Sequence, residues 1–444
     1  MSSTGKANMK KNLYWRLHHW VGLYTGILIG ILSLTGALAV FIPEIDAWIL
    51  KNHYAATSTS TAGTIRFGNS VHTLAQQYPN YSSMMINLPE TEGQVASVDL
   101  IVPSAGKGSE RHDFLIDVGG DRIVAWRNHQ NSLANYLRQM HVRLYEGYWG
   151  RQLVGLGGIG LAVVAITGLA IYGNFMKKQA WPAIRQKANI RIIMADWHKM
   201  LGISALAFNL VIALTGAWLG LQPQLMRWFN ITTPNAYKAP VIMEPDADRA
   251  LVVDWQKALS AVKKEFPDLD PRHLLPSTNG SATITVRGNI NGLIYERNIN
   301  TLVLSKTTYE PIFKYDVRNQ SMADKFYFIQ EALHFGDFGG LALKIIYAFL
   351  GLTSGFLSIS GFVIYIYRRG KKKQAPDRVM KIVFAYSMLV LLFLVTIALV
   401  SLFVGYAEAS FLAGIIINVL LLALLAYTLV RYVMRKRQAA KIAG

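Results

Sequence analysis

Residues Tyr14–Pro43, YWRLHHWVGLYTGILIGILSLTGALAVFIP, form the stretch that decides the fold. A basic segment precedes them, and the run that follows His19 is almost entirely apolar. A bilayer core of about 30 Å is spanned by about 20 apolar residues in a helix, so this run predicts a membrane-spanning helix. The run is longer than the apolar core of a secretory signal, which is about 7–15 residues, so we interpret it as an uncleaved anchor.

The spacing of histidine and small residues in this stretch occurs a second time in the chain. In each copy a histidine is followed by a glycine four residues later and by a Thr-Gly pair seventeen and eighteen residues later. The positions are His18, Gly22, Thr35 and Gly36 in the first copy, and His198, Gly202, Thr215 and Gly216 in the second. An internal repeat constrains the architecture more strongly than any local pattern.

Two further histidines share another spacing. Each precedes a glycine by six residues and a hydroxyl-Gly pair by twenty-six and twenty-seven residues. The positions are His141, Gly147, Thr167 and Gly168 in one case, and His334, Gly340, Ser360 and Gly361 in the other. We therefore predict an internal tandem repeat of helix, long loop and helix, in which each helix carries one histidine near its start.

The composition predicts a membrane protein, because 52% of the residues are hydrophobic and the mean hydropathy is +0.27. Six segments are long and apolar enough to span a bilayer. They are residues 20–42, 150–172, 200–221, 341–367, 380–404 and 410–433. The fold class that follows is a polytopic α-helical membrane protein with six transmembrane helices.

The formal charge of +19 is concentrated in the segments that precede the first helix or follow the second, fourth and sixth. The positive-inside rule then places both termini in the cytoplasm and the two long loops on the other side of the membrane. This distribution accounts for the basic excess, so no nucleic-acid partner is expected. We predict a multi-pass protein of the bacterial inner membrane.

Both long loops have the pattern of small α+β domains. Helices are predicted at Ser70–Tyr78 and from about Asp248 to Phe266. Strands are predicted at Val95–Val102, Asp113–Asp117, Ile123–Trp126, Ala282–Arg287, Leu293–Asn298 and Thr301–Leu304. The predicted domains are the tail and first helix (1–42), the first outer domain (43–149), the second and third helices (150–221), the second outer domain (222–340), the fourth helix (341–370) and a terminal hairpin with a basic tail (371–444).

The four repeated histidines fall into two pairs. His18 and His198 start helices at the cytoplasmic side, whereas His141 and His334 start helices at the outer side. Parallel repeats related by an axis along the membrane normal would bring each pair together. A single histidine of this kind is more simply explained as an interfacial residue, but two matched pairs indicate function. The pattern predicts one bis-histidine site near each face of the membrane.

The chemistry of these sites is limited by the absence of cysteine, which excludes iron–sulfur clusters and covalent c-type haem. Two imidazoles make a poor zinc site, because zinc takes four protein ligands or three and a water. Two axial imidazoles are what six-coordinate haem iron needs. We therefore predict two b-type haems, with His18 and His198 as the iron ligands of one and His141 and His334 as those of the other.

Glycines follow both cytoplasmic histidines, and we predict that Gly22 and Gly202 contribute to the haem sites. Residues four apart share one face of a helix, so each glycine would leave a flat surface beside its histidine. The same glycines are compatible with simple helix packing. His18 rather than the adjacent His19 is the predicted ligand, because only His18 keeps the offsets that His198 keeps and one residue turns a helix by about 100°.

The outer pair of histidines is expected to lie far from the cytoplasmic pair. His141 lies a dozen residues before the strongly apolar run that starts at Leu153. At about 1.5 Å per residue, the outer site is expected to lie clear of the bilayer core and about 30 Å or more from the level of His18. The other histidines have no repeat partner and are expected to be surface or loop residues without a ligand role. They are His53, His72, His112, His129 and His273.

These histidine and Thr-Gly helices, interleaved with two outer domains, resemble the PepSY-associated transmembrane family. Residues 117–124, DVGGDRIV, are similar to the strand–turn–strand of that family, and the resemblance covers about residues 12–370. It implies PepSY-like outer domains and a role in iron uptake, as in ferric-siderophore reductases that bind haem between such helices. It also implies the ligand role for His18, His141, His198 and His334. Residues 371–444 add a hairpin that the minimal family member lacks.

Three functions can be compared with this pattern of histidines and helices. The first is a haem-b electron conduit across the membrane that reduces an outer ferric chelate or siderophore. No flavin- or nicotinamide-binding domain is fused, so a cytoplasmic reductase or a quinol is the expected donor. The second is a membrane-anchored regulator of peptidases or cell-wall partners, which would not need matched histidines. The third is a transporter, against which the absence of charges in the middle of the helices counts.

Overall fold

The structure is a computed structural model that describes residues 3–54, 57–58, 65–91, 93–104, 108–176, 184–186, 188–234, 236, 253–277 and 281–370. The described α-helices are α1 (Ser3–Ala39), α2 (Ile42–Asn52), α3 (Gly68–Gln77), α4 (Leu133–Arg143), α5 (Gly147–Met176), α6 (Ile190–Ser204), α7 (Leu206–Trp228), α8 (Trp255–Glu265), α9 (Met322–Phe335) and α10 (Gly340–Gly370). The described strands are β1 (Ser83–Asn87), β2 (Ala96–Ser104), β3 (Gly108–Asp117), β4 (Arg122–Asn128), β5 (Asp270–Pro276), β6 (Thr283–Asn289), β7 (Asn300–Ser305) and β8 (Pro311–Tyr315).

Four of the described segments are long and apolar enough to cross a membrane. They are Leu13–Ala39, Gly147–Gly173, Leu206–Trp228 and Asp337–Tyr367. Each corresponds to one of the first four apolar runs of the sequence, and together they make this a multi-pass membrane protein. The fifth and sixth predicted spans, 380–404 and 410–433, lie outside the described residues, as does the rest of the predicted terminal hairpin and tail.

The expectation that each long helix carries a histidine near its start holds only for the apolar span of α1, Leu13–Ala39, in which His18 lies near the beginning. His198 lies on the short helix α6, and Ala205 adopts a non-helical ψ of 9° before α7 begins. His141 lies on α4, which ends before Leu144 and Tyr145, both with positive φ. A positive φ at a non-glycine residue is incompatible with a continuing right-handed helix.

The fourth histidine also lies on a helix that ends before the apolar span begins. His334 lies near the end of α9, and Gly336 caps that helix in the left-handed conformation with φ of 65°. Glycine is the residue that most often adopts this cap. A turn at Asp337–Gly339 then leads into α10. The apolar run therefore begins on a new helix, and the histidine is left on a short helix of its own.

The described residues form two compact units, of which the first contains the described residues within 3–39, 136–221 and 345–370. Within this membrane unit, α5 and α7 approach each other closely through glycine. A Cβ at Gly158 would lie 2.7 Å from the backbone nitrogen of Ala217 and 2.9 Å from the carbonyl oxygen of Ala213. Side chains of any size would therefore separate the two helices, and small residues at such crossings are typical of membrane bundles.

We expect Gly158→Val to lower the thermal unfolding temperature of the detergent-solubilised protein markedly, because its side chain collides with the α7 backbone. Overpacking of a tight site typically costs about 1–3 kcal/mol, and here the obstacle is backbone rather than a flexible side chain. Gly173→Val is the matched control on the same helix, since a Cβ at Gly173 has no atom within 4 Å. Equal unfolding temperatures for the two variants would contradict the proposed crossing.

The second unit, Val40–Asn135 and Gln222–Lys344, contains one antiparallel sheet of eight strands in the order β4-β3-β2-β1-β5-β6-β7-β8. The first four strands come from the first long loop and the last four from the second. They join at the centre, where β1 pairs with β5 through Ile86 opposite Leu274 and Asn87 opposite His273. The two loops, which the sequence suggests as separate domains, thus share a single sheet.

One predicted strand is wrong. Residues Leu293–Asn298 form turns and bends, not a strand, because Gly292 has a φ of 81° and Asn298 a φ of 58°. Strands β1, β5 and β8 were not predicted. The predicted helix ending at Phe266 begins at Trp255, where the Asp254 side chain accepts a hydrogen bond from the Lys257 backbone and caps it. Residues 248–252 of that prediction lie outside the described residues.

The hydrophobic core of this unit lies on one face of the sheet, under α3 and α8. Buried side chains from both helices pack on strand residues that point to the same face, such as Leu74 of α3 and Val262 of α8. On β6, Ile284 and Val286 are buried in this core, whereas Arg287 points to the opposite face. This alternation is the period-2 pattern of a strand with two different faces.

Candidate functional site

An apolar cavity of about 440 Å³ lies within the membrane unit. It is lined by residues of α1, α5, α6, α7 and α10, and a cavity of this size is typical of a small-molecule or cofactor site. His18 and His198 both line the cavity, as do Gly22 and Gly202, the glycines that the sequence places beside them. The structure therefore brings the predicted cytoplasmic pair of histidines to one place.

The two rings face each other at a distance that would suit a shared metal ion. Their centroids are 6.2 Å apart and their planes are perpendicular. A metal–imidazole bond is about 2.0–2.1 Å long, and each ring centre lies about 1.1 Å behind its nitrogen, so two axial imidazoles on one ion have centroids about 6.3 Å apart. Perpendicular ring contacts without a metal also occur at such distances. The cavity around the rings distinguishes this site from simple aromatic packing.

Hydrogen bonds to neighbouring helices fix the tautomer of His18. Its Nδ1 lies 2.9 Å from the carbonyl oxygen of Val164 and 3.2 Å from Oγ1 of Thr167, both on α5. A carbonyl oxygen only accepts, so Nδ1 carries the hydrogen and Nε2 carries the lone pair. The second nitrogen of a metal-binding histidine is commonly held by a backbone carbonyl in this way.

His198 is held in the same way by α10. Its Nδ1 lies 2.8 Å from Oγ of Ser360, and that hydroxyl donates its own hydrogen to the carbonyl oxygen of Leu357. Because the hydroxyl hydrogen is already used, Nδ1 donates to Ser360, and Nε2 of His198 again carries the lone pair. Burial, together with the nearby His18, lowers the pKa of His198 to about 4, so the ring is neutral at physiological pH.

The third histidine of the membrane unit, His141, has a matching environment on α1. Its Nδ1 lies 3.1 Å from Oγ1 of Thr35, and that hydroxyl donates to the carbonyl oxygen of Ile31. Burial lowers the pKa of His141 to about 4. A neutral imidazole whose Nδ1 donates is the form that binds a metal through Nε2.

In three of the four hydroxyl-Gly pairs, the glycine makes room for a histidine ring. A Cβ at Gly36 would lie 2.9 Å from Cε1 of His141, and a Cβ at Gly168 would lie 3.1 Å from Cε1 of His18. At Gly361 the corresponding distance to His198 is 3.7 Å. The hydroxyl therefore fixes the ring while the glycine allows its close approach.

The hydroxyl-Gly pairs have a contact that their sequence spacing did not indicate, because three of their hydroxyls lie against histidine Nδ1 atoms. The sequence spacing groups each hydroxyl-Gly pair with the histidine that precedes it. In the structure, His18, His141 and His198 are each held by a hydroxyl-Gly pair from another helix. The signal was present in the sequence, because the number of hydroxyl-Gly pairs in the repeat equals the number of histidines. Sequence spacing alone gave no indication of which pair serves which ring.

His19 has a different environment from His18. Its ring lies 5.1 Å from that of Tyr365 on α10 and 5.1 Å from that of the neighbouring Trp20. It also lines the cavity, but the ring that faces His198 is that of His18. The geometry therefore agrees with the choice of His18 as the ligand on α1.

The position of His141 corrects the expected distance of the outer site from the bilayer. His141 contacts Thr35 and Gly36, which lie within the membrane-spanning part of α1. Along α1, Thr35 is seventeen residues from His18, or about 26 Å at 1.5 Å per residue. His334 belongs to the second unit, so its pairing with His141 stays a prediction.

The remaining histidines do not form a metal site. Within the described ranges, no group of three or more His, Cys, Asp or Glu residues could hold a metal ion. Two of the histidines predicted to be surface or loop residues instead lie on strands, His112 on β3 and His273 on β5. His129 pairs with Asp113 at 2.8 Å. His72 is hydrogen-bonded to Gln76 on α3.

The residues around His18 and His198 fit a b-type haem. The two imidazole centroids lie 6.2 Å apart, close to the spacing expected for two imidazoles on one metal ion, and the cavity wall is mainly apolar. Gly22, Gly168 and Gly202 line the cavity and leave its wall smooth. No carboxylate lines this cavity among the described residues, and the chain has no cysteine, so the donor set suits haem iron better than zinc.

Fold and site together define a multi-pass membrane protein whose helices place two neutral histidines in an apolar cavity. Residues 15–368 match the PepSY-associated TM region family, and the chain belongs to that family. The chain is also 24% identical over 274 residues to PA4219, an uncharacterized protein of Pseudomonas aeruginosa. That alignment covers 55% of this chain and 66% of the relative, slightly less than two thirds of its length.

Proposed function

We propose that the protein is a transmembrane electron conduit of the bacterial inner membrane that carries two b-type haems and reduces an extracytoplasmic ferric chelate, such as a ferric siderophore, in iron uptake. The observation that supports it best is the His18–His198 pair, with rings 6.2 Å apart in an apolar cavity. When bound, haem iron supplies reversible one-electron transfer.

The chain's own residues bind and orient the cofactor in this proposal. His18 and His198 bind through Nε2, while Thr167 and Ser360 hold their Nδ1 atoms and keep the rings in place. Fixed second partners of this kind usually matter for metal affinity. His141, which Thr35 holds in the same way, binds the second haem together with His334.

The donor and acceptor lie on opposite sides of the membrane in this proposal. Both termini lie in the cytoplasm, where a separate reductase or a quinol gives one electron for each Fe(III) that is reduced to Fe(II) outside. A bulky ferric chelate does not enter a packed helix core, so it accepts electrons at the outer surface. The protein is thus a ferric-chelate reductase, and its partners are the lipid membrane, the electron donor and the chelate.

A visible spectrum of the purified protein tests the proposal. We expect about two b-type haems per chain and the absorption bands of low-spin, bis-imidazole iron. The haem-to-protein ratio is measured after expression in haem-replete cells, with the full chain in mild detergent. A colourless preparation would overturn the conduit and favour a membrane-anchored regulator instead.

A further inference from the structure

The face of the eight-stranded sheet opposite α3 and α8 carries a row of polar residues across its centre. Arg287 on β6 is opposite His273 on β5, His273 is opposite Asn87 on β1, and Asn87 is opposite Ser97 on β2. Neighbouring strands lie about 4.8 Å apart, so the first three side chains start within about 10 Å of one another. The row crosses the junction at which the two long loops share the sheet.

The arginines near this row have acidic partners, with one exception. Arg127 forms two hydrogen bonds of 2.7 Å with the carboxylate of Asp46. Arg297 pairs with Asp337 at 2.6 Å.

Arg111 pairs with Asp99 at 2.6 Å and with Asp113 at 3.1 Å. Burial, followed by the nearby Asp113, raises the pKa of Asp99 to about 6. Burial would also raise the pKa of Asp113, but His129, Arg111 and Arg127 lower it to about 2, so Asp113 is ionised. The acidic groups at this end of the row are therefore already engaged with arginines of the chain.

Arg287 is the exception. It is partly buried on a central strand, and no hydrogen bond or ion pair joins its side chain to any residue that the structure describes. Burial, followed by the charges of Arg287, Arg111 and Arg297, lowers the pKa of His273 to about 4. Holding an unpaired charge in a partly buried position is costly unless a partner arrives.

We propose that Arg287, with His273 beside it, binds a carboxylate of an anionic ligand on this face of the sheet. A planar guanidinium matches a carboxylate through two parallel hydrogen bonds, as Arg127 and Asp46 show on the same face. The ligand would supply the acid that the chain provides for Arg111, Arg127 and Arg297.

The ligand class follows from the proposed function, on which this part of the inference rests: a ferric chelate of the hydroxycarboxylate type, which keeps negatively charged carboxylates at neutral pH. The neutral side chain of His273 adds a hydrogen-bonding group, and Asn298, whose Nδ2 lies 3.3 Å from Nε2 of His273, adds another. An amide and an imidazole beside a guanidinium suit the hydroxyl and carboxylate oxygens of such a chelate.

Binding is tested with gallium(III) citrate, which has the charge of the ferric chelate but takes no electron. Isothermal titration calorimetry on the full-length protein in detergent should show saturable binding, weakened about tenfold or more by Arg287→Gln, as the loss of a charged hydrogen-bonded pair predicts. Lys263→Gln is the matched control, because it removes the same charge from an exposed position on α8, on the opposite face. It should bind like the wild type.

Several outcomes would overturn the site: no saturable binding by the wild type, equal affinity of Arg287→Gln and Lys263→Gln, or displacement of gallium citrate by equimolar inorganic phosphate. If Arg287→Gln fails to fold, Arg287→Lys decides, because it keeps the charge but loses the planar fork and should bind several-fold more weakly. The haem content is measured in every sample. Because gallium binding needs no electron transfer, failure of this site and failure of the conduit give different results.

Discussion

Loss of one of two haems is the expected result of His198→Ala and, separately, of His18→Ala. In the proposed function each ring supplies one of the two iron ligands, and the two rings lie 6.2 Å apart in the same cavity. The haem-to-protein ratio should fall from about two to about one, and the remaining spectrum should keep its low-spin bands. The measurement is the pyridine haemochrome assay on purified, correctly folded protein.

His19→Ala is the matched control for this prediction. It removes an imidazole next to His18 in the sequence, from a ring that packs on Tyr365. We expect this variant to keep both haems. If His19→Ala lost a haem while His18→Ala kept both, the assignment from the repeat and from the ring geometry would be wrong.

The membrane part of the fold could be predicted from the sequence because its signal is local. An apolar run of about 20 residues identifies a spanning helix without reference to the rest of the chain. What the sequence did not show was the interruption between histidine and span. The break at Ala205 depends on the φ and ψ angles of one residue, and neither its identity nor its neighbours are unusual for a helix.

The sheet could be predicted only in part, because its central contact is not local. Alternating residues such as Thr285 and Val286 predict β6 from its own sequence. The central strands β1 and β5 are short, and β5 contains Pro271 and Pro276, which weaken its pattern. Their pairing joins residues that are far apart in the chain, so no local pattern indicates that both loops share one sheet.

In the candidate site, too, some features have a local sequence signal and others depend on contacts between distant parts of the chain. That His18 and His198 lie together could be predicted, since histidines at matched spacings are a strong signal. The role of Thr35, Thr167 and Ser360 could not, because each contacts a histidine on a different helix. A hydroxyl in a membrane helix usually bonds to the carbonyl three or four residues earlier, and these hydroxyls do that as well. Only the tertiary contact reveals their second role.

Abolition of external iron reduction is the expected result of His141→Ala and of His334→Ala. The protein is reconstituted in vesicles with a reductant inside and a ferric chelate outside, and Fe(II) formation outside is followed with a membrane-impermeant indicator. His141 is held against the Thr35 end of the span of α1, and in the proposed function it shares a haem with His334 on the outer side. Removal of either ligand should reduce the external rate to background. His18→Ala should have the same effect by stopping electrons from entering at the inner side.

His72→Ala serves as the control for the vesicle experiment. This histidine lies on α3, is hydrogen-bonded to Gln76, and has no counterpart in the repeat. Its rate should equal that of the wild type at equal protein and vesicle content. The vesicles also distinguish the step that fails, because His18→Ala should still allow an external reductant to reduce the outer haem, whereas His141→Ala should not. Wild-type rates of external reduction in both outer-histidine variants would mean that electrons do not leave the protein through this site.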